Sequence, residues 1–237
     1  MSGTEIDALR RETKVLLFDQ YGTIVDMQAG LTKVAAAFFA ERNVDIDPGK
    51  FVTWWRRAHF ENSMIDSLCA RGHTPYREIG HRAVDIVLER AGVAHDSADV
   101  EFLVAQIETL EPFPEVPAAL DRLSRKYRLA ILSNGDRDML EAAKPHIGFA
   151  FDATISVQEA GAFKPDHRTY AKAAEILEMG RSSVLFVANH AFDCVGAKAF
   201  GMRAAFIDRR SRPFGHTPHR PDLTVRDMGE LADLMVD

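Results

Sequence analysis

The sequence predicts an α/β protein, in which a parallel sheet is covered by helices and interrupted by an inserted helical cap domain. Short apolar runs of strand length alternate with amphipathic stretches of helical length, which is the pattern of strand–helix–strand units. One long interval, residues 28–111, breaks the alternation and contains helical patterns alone. We therefore expect an α/β core formed by residues 1–27 and 112–237 and a helical cap formed by residues 28–111.

Five apolar runs predict the strands of the core. They are KVLLFD (14–19), RLAILS (128–133), FDATISV (151–157), SVLFVA (183–188) and RAAFID (203–208). Amphipathic helical stretches lie between most of them, so the sheet is expected to be Rossmann-like, with ligands beyond the carboxyl ends of its strands. The polar, proline-rich segment 208–222 is expected to be a surface loop, with His216 and His219 in solvent.

Four helices are predicted in the cap. Their patterns cover residues 31–43, 47–72, 75–92 and 97–110. Asp47-Pro48 and Thr74-Pro75 are typical helix starts, because a polar cap precedes proline at the first helical position. The segment EPFPEVP (111–117) is expected to be the hinge back to the core.

Composition excludes several classes of protein. The 237 residues include 29 Lys and Arg against 35 Asp and Glu, a net charge of -6, which leaves no basic surface for nucleic acid or anionic membranes. The apolar stretches fall far short of the ~20 residues that span a bilayer. The polar start, MSGTEIDALRRETK, lacks the apolar segment of a signal peptide, so we expect a cytoplasmic location. Cys69 and Cys194 cannot form a disulfide framework or a four-ligand zinc site.

The residues that follow the strands are the candidates for chemistry. They are Asp19, Ser133-Asn134-Gly135, Lys164-Pro165, Ala188-Asn189-His190 and Asp193. An acidic residue that closes a strand is often only a turn former, and Asp19 taken alone favours that interpretation. Its companions on neighbouring strand ends favour a functional site instead. Thr23 either orients the Asp19 carboxylate through a hydrogen bond or caps a turn.

The motifs FDQYGT, ILSNG, a Lys-Pro after the third strand and a final acidic loop, in this order, resemble the haloacid dehalogenase superfamily. The resemblance covers nearly the whole chain, including the position of the helical cap. Most members are Mg²⁺-dependent phosphatases, with a second Asp two residues after the nucleophile and further carboxylates in the last loop. This chain has Tyr21 and Asn189 at two of those positions. Because Mg²⁺ usually needs carboxylates, a small-molecule phosphatase is disfavoured and stays as the alternative hypothesis.

The Asp-X-Tyr-Gly-Thr motif resembles the L-2-haloacid dehalogenase branch. The resemblance implies metal-independent, cofactor-free hydrolysis of short (S)-2-haloalkanoic acids to 2-hydroxy acids, through an aspartyl ester on Asp19. A departing halide needs no proton and no metal, but it needs a desolvated carboxylate nucleophile and a pocket that stabilises the anion. Water held by Asp193 and its loop then hydrolyses the ester. A non-catalytic relative that binds a small acid or a partner is the third hypothesis, and it predicts that Asp19→Asn has no effect.

The resemblance also implies roles for other core residues. Lys164 keeps Asp19 ionised, since a neighbouring cation lowers the pKa of an aspartate. Ser133 binds the substrate carboxylate, and Asn134 helps to hold the halide. Tyr170 matches a supporting tyrosine of the substrate-binding site, or is a packed helix residue.

Further residues complete the predicted pocket. Tyr21 is an apolar wall or packs at the core–cap junction, and Phe192 lines the halide pocket or belongs to the core. The segment TWWRRAHFENSMIDSLC resembles the family's cap helix with an active-site arginine, and the alignment selects Arg56 to receive the halide and steer the carboxylate. Arg57 is the adjacent alternative, about 100° away around the helix.

The last loop departs from the family pattern. Relatives often have Ser-Ser-Asn where this chain has Ala188-Asn189-His190. In the family this loop helps to fix Lys164 and the hydrolytic water, so Asn189 and His190 are candidate substrate-binding residues. His190 is expected to donate to the substrate or the halide, to help activate water, or to be structural. This replacement extends the hypothesis to fluoroacetate. The expected partners are a small halogenated carboxylate and, because relatives are often homodimers, a second copy of the chain.

Overall fold

The computed structural model describes residues 3–69 and 72–236, which form a parallel sheet of six strands in the order β3-β2-β1-β4-β5-β6. The strands are β1 (Val15–Phe18), β2 (Arg128–Ser133), β3 (Ala153–Ser156), β4 (Val184–Ala188), β5 (Arg203–Ile207) and β6 (Leu223–Val225). The helices are α1 (Gly3–Glu12), α2 (Met27–Glu41), α3 (Pro48–Leu68), α4 (Tyr76–Arg90), α5 (Ser97–Ala105), α6 (Val116–Leu123), α7 (Arg137–Ile147), α8 (His167–Leu177), α9 (Ala191–Phe200) and α10 (Met228–Val236). Short 3-10 turns occupy Gln106–Thr109, Val157–Glu159 and Arg181–Ser183. The predicted α/β fold with inserted helices is confirmed, because α2 to α5 all lie between β1 and β2.

The order of the strands determines where a site can form. From β1 the chain builds the sheet outward to β3, and then returns to the other side of β1 with β4. Every residue of β1 and β4 is buried, as expected for parallel strands covered on both faces. The reversal leaves a crevice beyond the carboxyl ends of β1 and β4. Asp19 follows β1 there, and its backbone N–H donates to the carbonyl of Val187 at 3.0 Å.

The inserted helices have their own aromatic core. Phe39 of α2 and Phe51 of α3 meet edge to face at 5.0 Å between ring centroids, and both are buried. The predicted start of α3 is confirmed, since the Asp47 carboxylate accepts from the backbone N–H of Lys50 and Pro48 is the first residue. Positions 70 and 71 of the helix predicted over 47–72 lie outside the described residues.

The predicted start of α4 was wrong in its detail. The helix begins at Tyr76, and the Thr74 hydroxyl donates to Asp66 rather than capping the helix. The cap comes from the core, where the Asp136 carboxylate accepts from the backbone N–H groups of Tyr76 at 2.8 Å and Arg77 at 2.9 Å. Asp136 therefore fixes the first turn of α4 above the end of β2.

Replacing Asp136 with alanine is expected to lower the free energy of unfolding by about 1–2 kcal/mol, because the first N–H groups of α4 lose their acceptor. Urea unfolding of the two proteins measures the difference. Asp138→Ala is the matched control, since that carboxylate is exposed and pairs with Arg77 only at the surface. An equal effect of the two substitutions would contradict the role given to Asp136.

The predicted elements of the core did not include helix α1, strand β6 or helix α10. Helix α1 has a single buried residue, Leu9, so its sequence carries little apolar periodicity. Strand β6 is only three residues long, too short for a clear strand pattern. His216 and His219 are exposed as expected. In the described part of the chain, no helix is both long and apolar enough to cross a membrane.

Candidate active site

A cavity of about 580 Å³ lies at the crevice between β1 and β4, with helix α3 on its opposite side. Eight of the predicted site residues border it: Asp19, Tyr21, Arg56, Asn134, Lys164, His190, Phe192 and Asp193. They come from three separate strand ends, from the loop after β3 and from α3. The topology therefore brings most of the predicted site together.

A buried lysine joins two buried carboxylates at the floor of the cavity. The Lys164 ammonium lies 2.9 Å from Oδ1 of Asp19 and 2.8 Å from Oδ2 of Asp193. Its third hydrogen bond goes to the Leu132 carbonyl at 3.0 Å. The three N–H donors of the ammonium thus have three acceptors. The two carboxylates and the ammonium together leave one net negative charge at this floor.

This arrangement keeps Asp19 ionised. Burial alone would raise the pKa of Asp19, but the Lys164 charge and the contacts with His190 and Lys164 outweigh it and hold the pKa well below its usual range. Burial and the charge of Asp19 raise the pKa of Asp193 in spite of Lys164. Burial would lower the pKa of Lys164, yet its two carboxylate partners raise it. Asp19 is therefore the carboxylate of the pair that is held more firmly in its ionised form.

Two hydroxyl groups orient the carboxylates. Thr23 donates to Oδ2 of Asp19 at 2.7 Å, and its oxygen accepts from the backbone N–H of Asn189 at 2.9 Å. Tyr170 donates to Oδ1 of Asp193 at 2.9 Å. Of the two interpretations of Thr23, the structure supports orientation of the Asp19 carboxylate.

Three predicted substrate-binding residues do not border this cavity. Ser133 is fully buried, and its hydroxyl oxygen accepts from the Gly135 N–H at 3.2 Å. Tyr170 lies behind Asp193, and the Asn189 amide donates to the Ile207 carbonyl at 2.7 Å while bordering a neighbouring cavity. For these three residues the structure favours a supporting position over the predicted contact with substrate, because their polar atoms are engaged with the protein.

The side of the cavity formed by the inserted helices carries Arg56. Its guanidinium donates to Gln28 Oε1 at 3.0 Å and lies 3.4 Å from Nε2 of His190. Because a guanidinium only donates, a hydrogen bond between the two groups requires Nε2 of His190 as the acceptor. Nδ1 lies 3.5 Å from Oδ2 of Asp19. His190 therefore connects the arginine to the nucleophile candidate.

Arg57 differs from Arg56 in its surroundings. It is exposed and donates to Glu61 at 2.7 Å along the same helix. Arg56 is partly buried and has no carboxylate partner among the described residues. Arg56 is thus the better placed of the two to bind an anion in the cavity.

Aromatic rings form the apolar walls. Tyr21 stacks on Tyr76 with 5.7 Å between centroids, and Phe192 packs on Phe60 at 4.5 Å. The Tyr21 hydroxyl is buried without a hydrogen-bond partner, and a Cβ atom at Gly135 would lie 2.7 Å from it. Position 135 therefore has to be glycine, because any larger side chain would collide with Tyr21.

Sequence reasoning missed several residues that border the cavity, namely Gln28, His59, Phe60, Ser63, Tyr76, Arg210 and Arg212. His59, Phe60 and Ser63 lie three, four and seven positions after Arg56, so helical spacing was an available signal. Arg210 and Arg212 belong to the segment predicted to be only a surface loop. No local pattern in the sequence marks Tyr76 or Gln28.

The chain is similar to known proteins over most of its length. The family described as haloacid dehalogenase-like hydrolase matches residues 13–201. (S)-2-haloacid dehalogenase H-109 of Pseudomonas putida is 30% identical over 226 residues, covering 94% of this chain and 97% of that protein. L-2-haloacid dehalogenase from Xanthobacter autotrophicus, with chloropropionic acid covalently bound, aligns with a TM-score of 0.83 at 29% identity over 94% of this chain and 98% of that one. The defluorinating L-2-haloacid dehalogenase Rha0230 aligns with a TM-score of 0.83 at 27% identity over 94% and 95% of the two chains.

Proposed function

Because the chain belongs to the haloacid dehalogenase-like hydrolases, we propose that it hydrolyses short (S)-2-haloalkanoic acids to 2-hydroxy acids with Asp19 as the nucleophile. The predicted family and dehalogenase branch are confirmed by the matching family and relatives. The observation that carries the mechanism is the ionised Asp19 at the cavity floor, where Lys164 and Thr23 hold both of its oxygens.

In the first step a carboxylate oxygen of Asp19 attacks C2 of the substrate and displaces the halide with inversion. Arg56 supplies positive charge on the opposite side of the cavity, and Asn134 exposes its amide to the same space. The Asn134 amide oxygen accepts from the Lys164 backbone N–H at 3.0 Å, which directs the NH₂ group away from that contact. The leaving halide receives the electron pair of the broken bond.

In the second step water attacks the carbonyl carbon of the Asp19 ester. Lys164 and Thr23 remain placed to stabilise negative charge on the ester oxygens, which is how an oxyanion intermediate is stabilised. Asp193, fixed by Lys164 and Tyr170, positions the water. Cleavage of the ester places one proton of the water on the hydroxyl of the released 2-hydroxy acid, and the other proton leaves to solvent, which restores the Asp19 carboxylate.

The donor set at the floor does not fit magnesium. Asp19, His190 and Asp193 each place one candidate ligand atom within 4.8 Å of the others. However, all four carboxylate oxygens already accept hydrogen bonds from the protein, one of each pair from the Lys164 ammonium and the others from Thr23 and Tyr170. Mg²⁺ also prefers oxygen ligands to an imidazole. These facts support a metal-independent reaction over the phosphatase alternative.

Halide release from (S)-2-chloropropionate in EDTA tests this function. We expect release that is unaffected by the chelator, with lactate formed in equal amount. Hydrolysis of a phosphate ester that requires Mg²⁺, with no halide released, would contradict the proposal.

We also propose fluoroacetate as a substrate. The support is the resemblance to a defluorinating relative and the position of His190, which connects Asp19 with Arg56. A fluoride electrode measures the reaction directly. Enzyme that is active on (S)-2-chloropropionate but releases no fluoride from fluoroacetate would remove this proposal.

The division into a core of residues 1–27 and 112–237 and a cap of residues 28–111 stays a proposal. It is supported by the isolated bridge between Val25 and Pro112, which joins the two connections between the units.

We further propose a cytoplasmic homodimer. Trp54, Ile65 and Leu68 lie along one stripe of α3 and are 52%, 56% and 82% exposed, which supports burial against a second copy. Light scattering would show twice the 26.4 kDa chain mass for a dimer, and the chain mass itself would contradict it.

A further inference from the structure

Tyr76 presents an unused hydroxyl group to the cavity. The residue borders the cavity, and its hydroxyl makes no hydrogen bond to any residue that the structure describes. The other tyrosine of the wall differs, because the Tyr21 hydroxyl is buried out of reach against Gly135. Tyr76 is therefore the phenolic donor available to a ligand among the residues that border this cavity.

The Tyr76 side chain is held firmly in place. Its backbone N–H is fixed by Asp136 at 2.8 Å, and its carbonyl lies 3.1 Å from Nε2 of His59, which must be the donor. Its ring lies between Tyr21 at 5.7 Å and His59 at 3.9 Å. A donor that is already oriented loses little entropy when it binds a ligand, which is the basis of preorganised catalysis.

The Tyr76 hydroxyl shares the cavity with the Arg56 guanidinium. Tyr76 lies near enough to Arg56, Asp19 and Asp136 for each to shift its pKa. Burial raises that pKa above its usual value, and the Arg56 charge reverses only part of the shift. The phenol thus keeps its proton over the working pH range and acts as a donor. Arg56 and Tyr76 come from neighbouring helices of the insert, α3 and α4, whereas the nucleophile comes from the sheet.

We propose that Tyr76 is a catalytic residue that donates a hydrogen bond to the departing halide, beside Arg56. This rests on the proposed dehalogenase function. As an Asp19 oxygen forms its bond to C2, the carbon–halogen electron pair leaves with the halogen, on the side of C2 away from Asp19. Tyr76 keeps its proton and stabilises the charge that develops there. Because smaller halides accept stronger hydrogen bonds, the contribution decreases from fluoride to chloride to bromide.

Tyr76→Phe tests the proposal, because it removes the hydroxyl and retains the stacked ring. We expect kcat/KM on (S)-2-chloropropionate to fall by about tenfold and on (S)-2-bromopropionate by about threefold or less. The value of kcat/KM depends only on the steps up to and including halide departure. In single-turnover experiments the rate of ester hydrolysis should be unchanged, since the halide has then left.

The matched control is Tyr127→Phe, which removes a hydroxyl that donates to the Met235 carbonyl at 2.8 Å, away from the cavity. We expect this variant to lose stability without a change in the chloride-to-bromide ratio. Equal losses on both substrates in Tyr76→Phe, or no loss on either, would overturn the role of Tyr76. Wild-type enzyme that released neither halide would instead refute the proposed function.

Discussion

Replacing Asp19 with asparagine is expected to lower kcat/KM for halide release by at least about ten-thousandfold, because the nucleophile of the first step is removed. An amide has nearly the same shape as the carboxylate, and its single oxygen can still accept from either Thr23 or Lys164. Lys164 also keeps Asp193 as a charged partner, so the ammonium is not left buried alone. The loss should therefore appear in the chemical step rather than in folding. The rate of halide release at saturating substrate measures the loss in kcat, and the rate at low substrate measures the loss in kcat/KM.

The matched control for that variant is Asp138→Asn, which removes an exposed carboxylate outside the cavity. It should retain wild-type activity. If Asp19→Asn kept more than a small fraction of the activity, nucleophilic attack by Asp19 would be wrong. A non-catalytic binding protein would show no effect of either substitution.

Replacing Lys164 with methionine is expected to lower both stability and activity. The ammonium is buried between two buried carboxylates, and removing one partner of a buried ion pair typically costs about 3–5 kcal/mol. Without the cation, burial is no longer offset and the folded-state pKa of Asp19 rises. Urea unfolding and the dependence of kcat/KM on pH measure the two effects.

The direction of the pH effect follows from the sign of the shift. In the wild type the folded-state pKa of Asp19 is depressed, so its contribution to stability is present above the unfolded-state pKa and is lost as the pH falls through the folded-state pKa. In Lys164→Met the Asp19 carboxylate protonates at higher pH. The acidic limb of the pH profile of kcat/KM should therefore shift to higher pH. An unchanged acidic limb would contradict the role of Lys164 in keeping Asp19 ionised.

The double variant Lys164→Met with Asp193→Asn separates the two effects. It removes the charge that repels Asp19, so part of the lost stability should return. Activity should remain low, because Asp193 is also needed to position the water. Full recovery of activity would show that Lys164 acts only on stability.

Much of the core half of the site could be predicted because the residues concerned come directly after apolar strands. Asp19, Asn134 and His190 follow β1, β2 and β4, and parallel strands bring their carboxyl ends to one edge. Strand β6 and helix α1 gave weak patterns, since one is three residues long and the other buries only Leu9. Sequence pattern therefore predicted the centre of the sheet better than its periphery.

The half of the site formed by the inserted helices was less accessible to prediction. Arg56 was found by resemblance, and its helix neighbours His59 and Phe60 were missed although helical spacing could have identified them. The position of Tyr76 depends on the contact between Asp136 and the first turn of α4, which joins residues 60 positions apart. Local pattern cannot supply such a contact, and the same is true of Arg210 from the loop after β5.

The most direct test of the central claim is a single turnover in ¹⁸O-labelled water with enzyme in excess over (S)-2-chloropropionate. Mass spectrometry of the peptide that contains Asp19 and of the lactate then locates the label. The covalent mechanism predicts one ¹⁸O atom in Asp19 and none in the lactate hydroxyl, because water attacks the ester carbonyl. Label in the lactate hydroxyl with Asp19 unlabelled would mean that water attacks C2 directly, and would contradict an aspartyl ester.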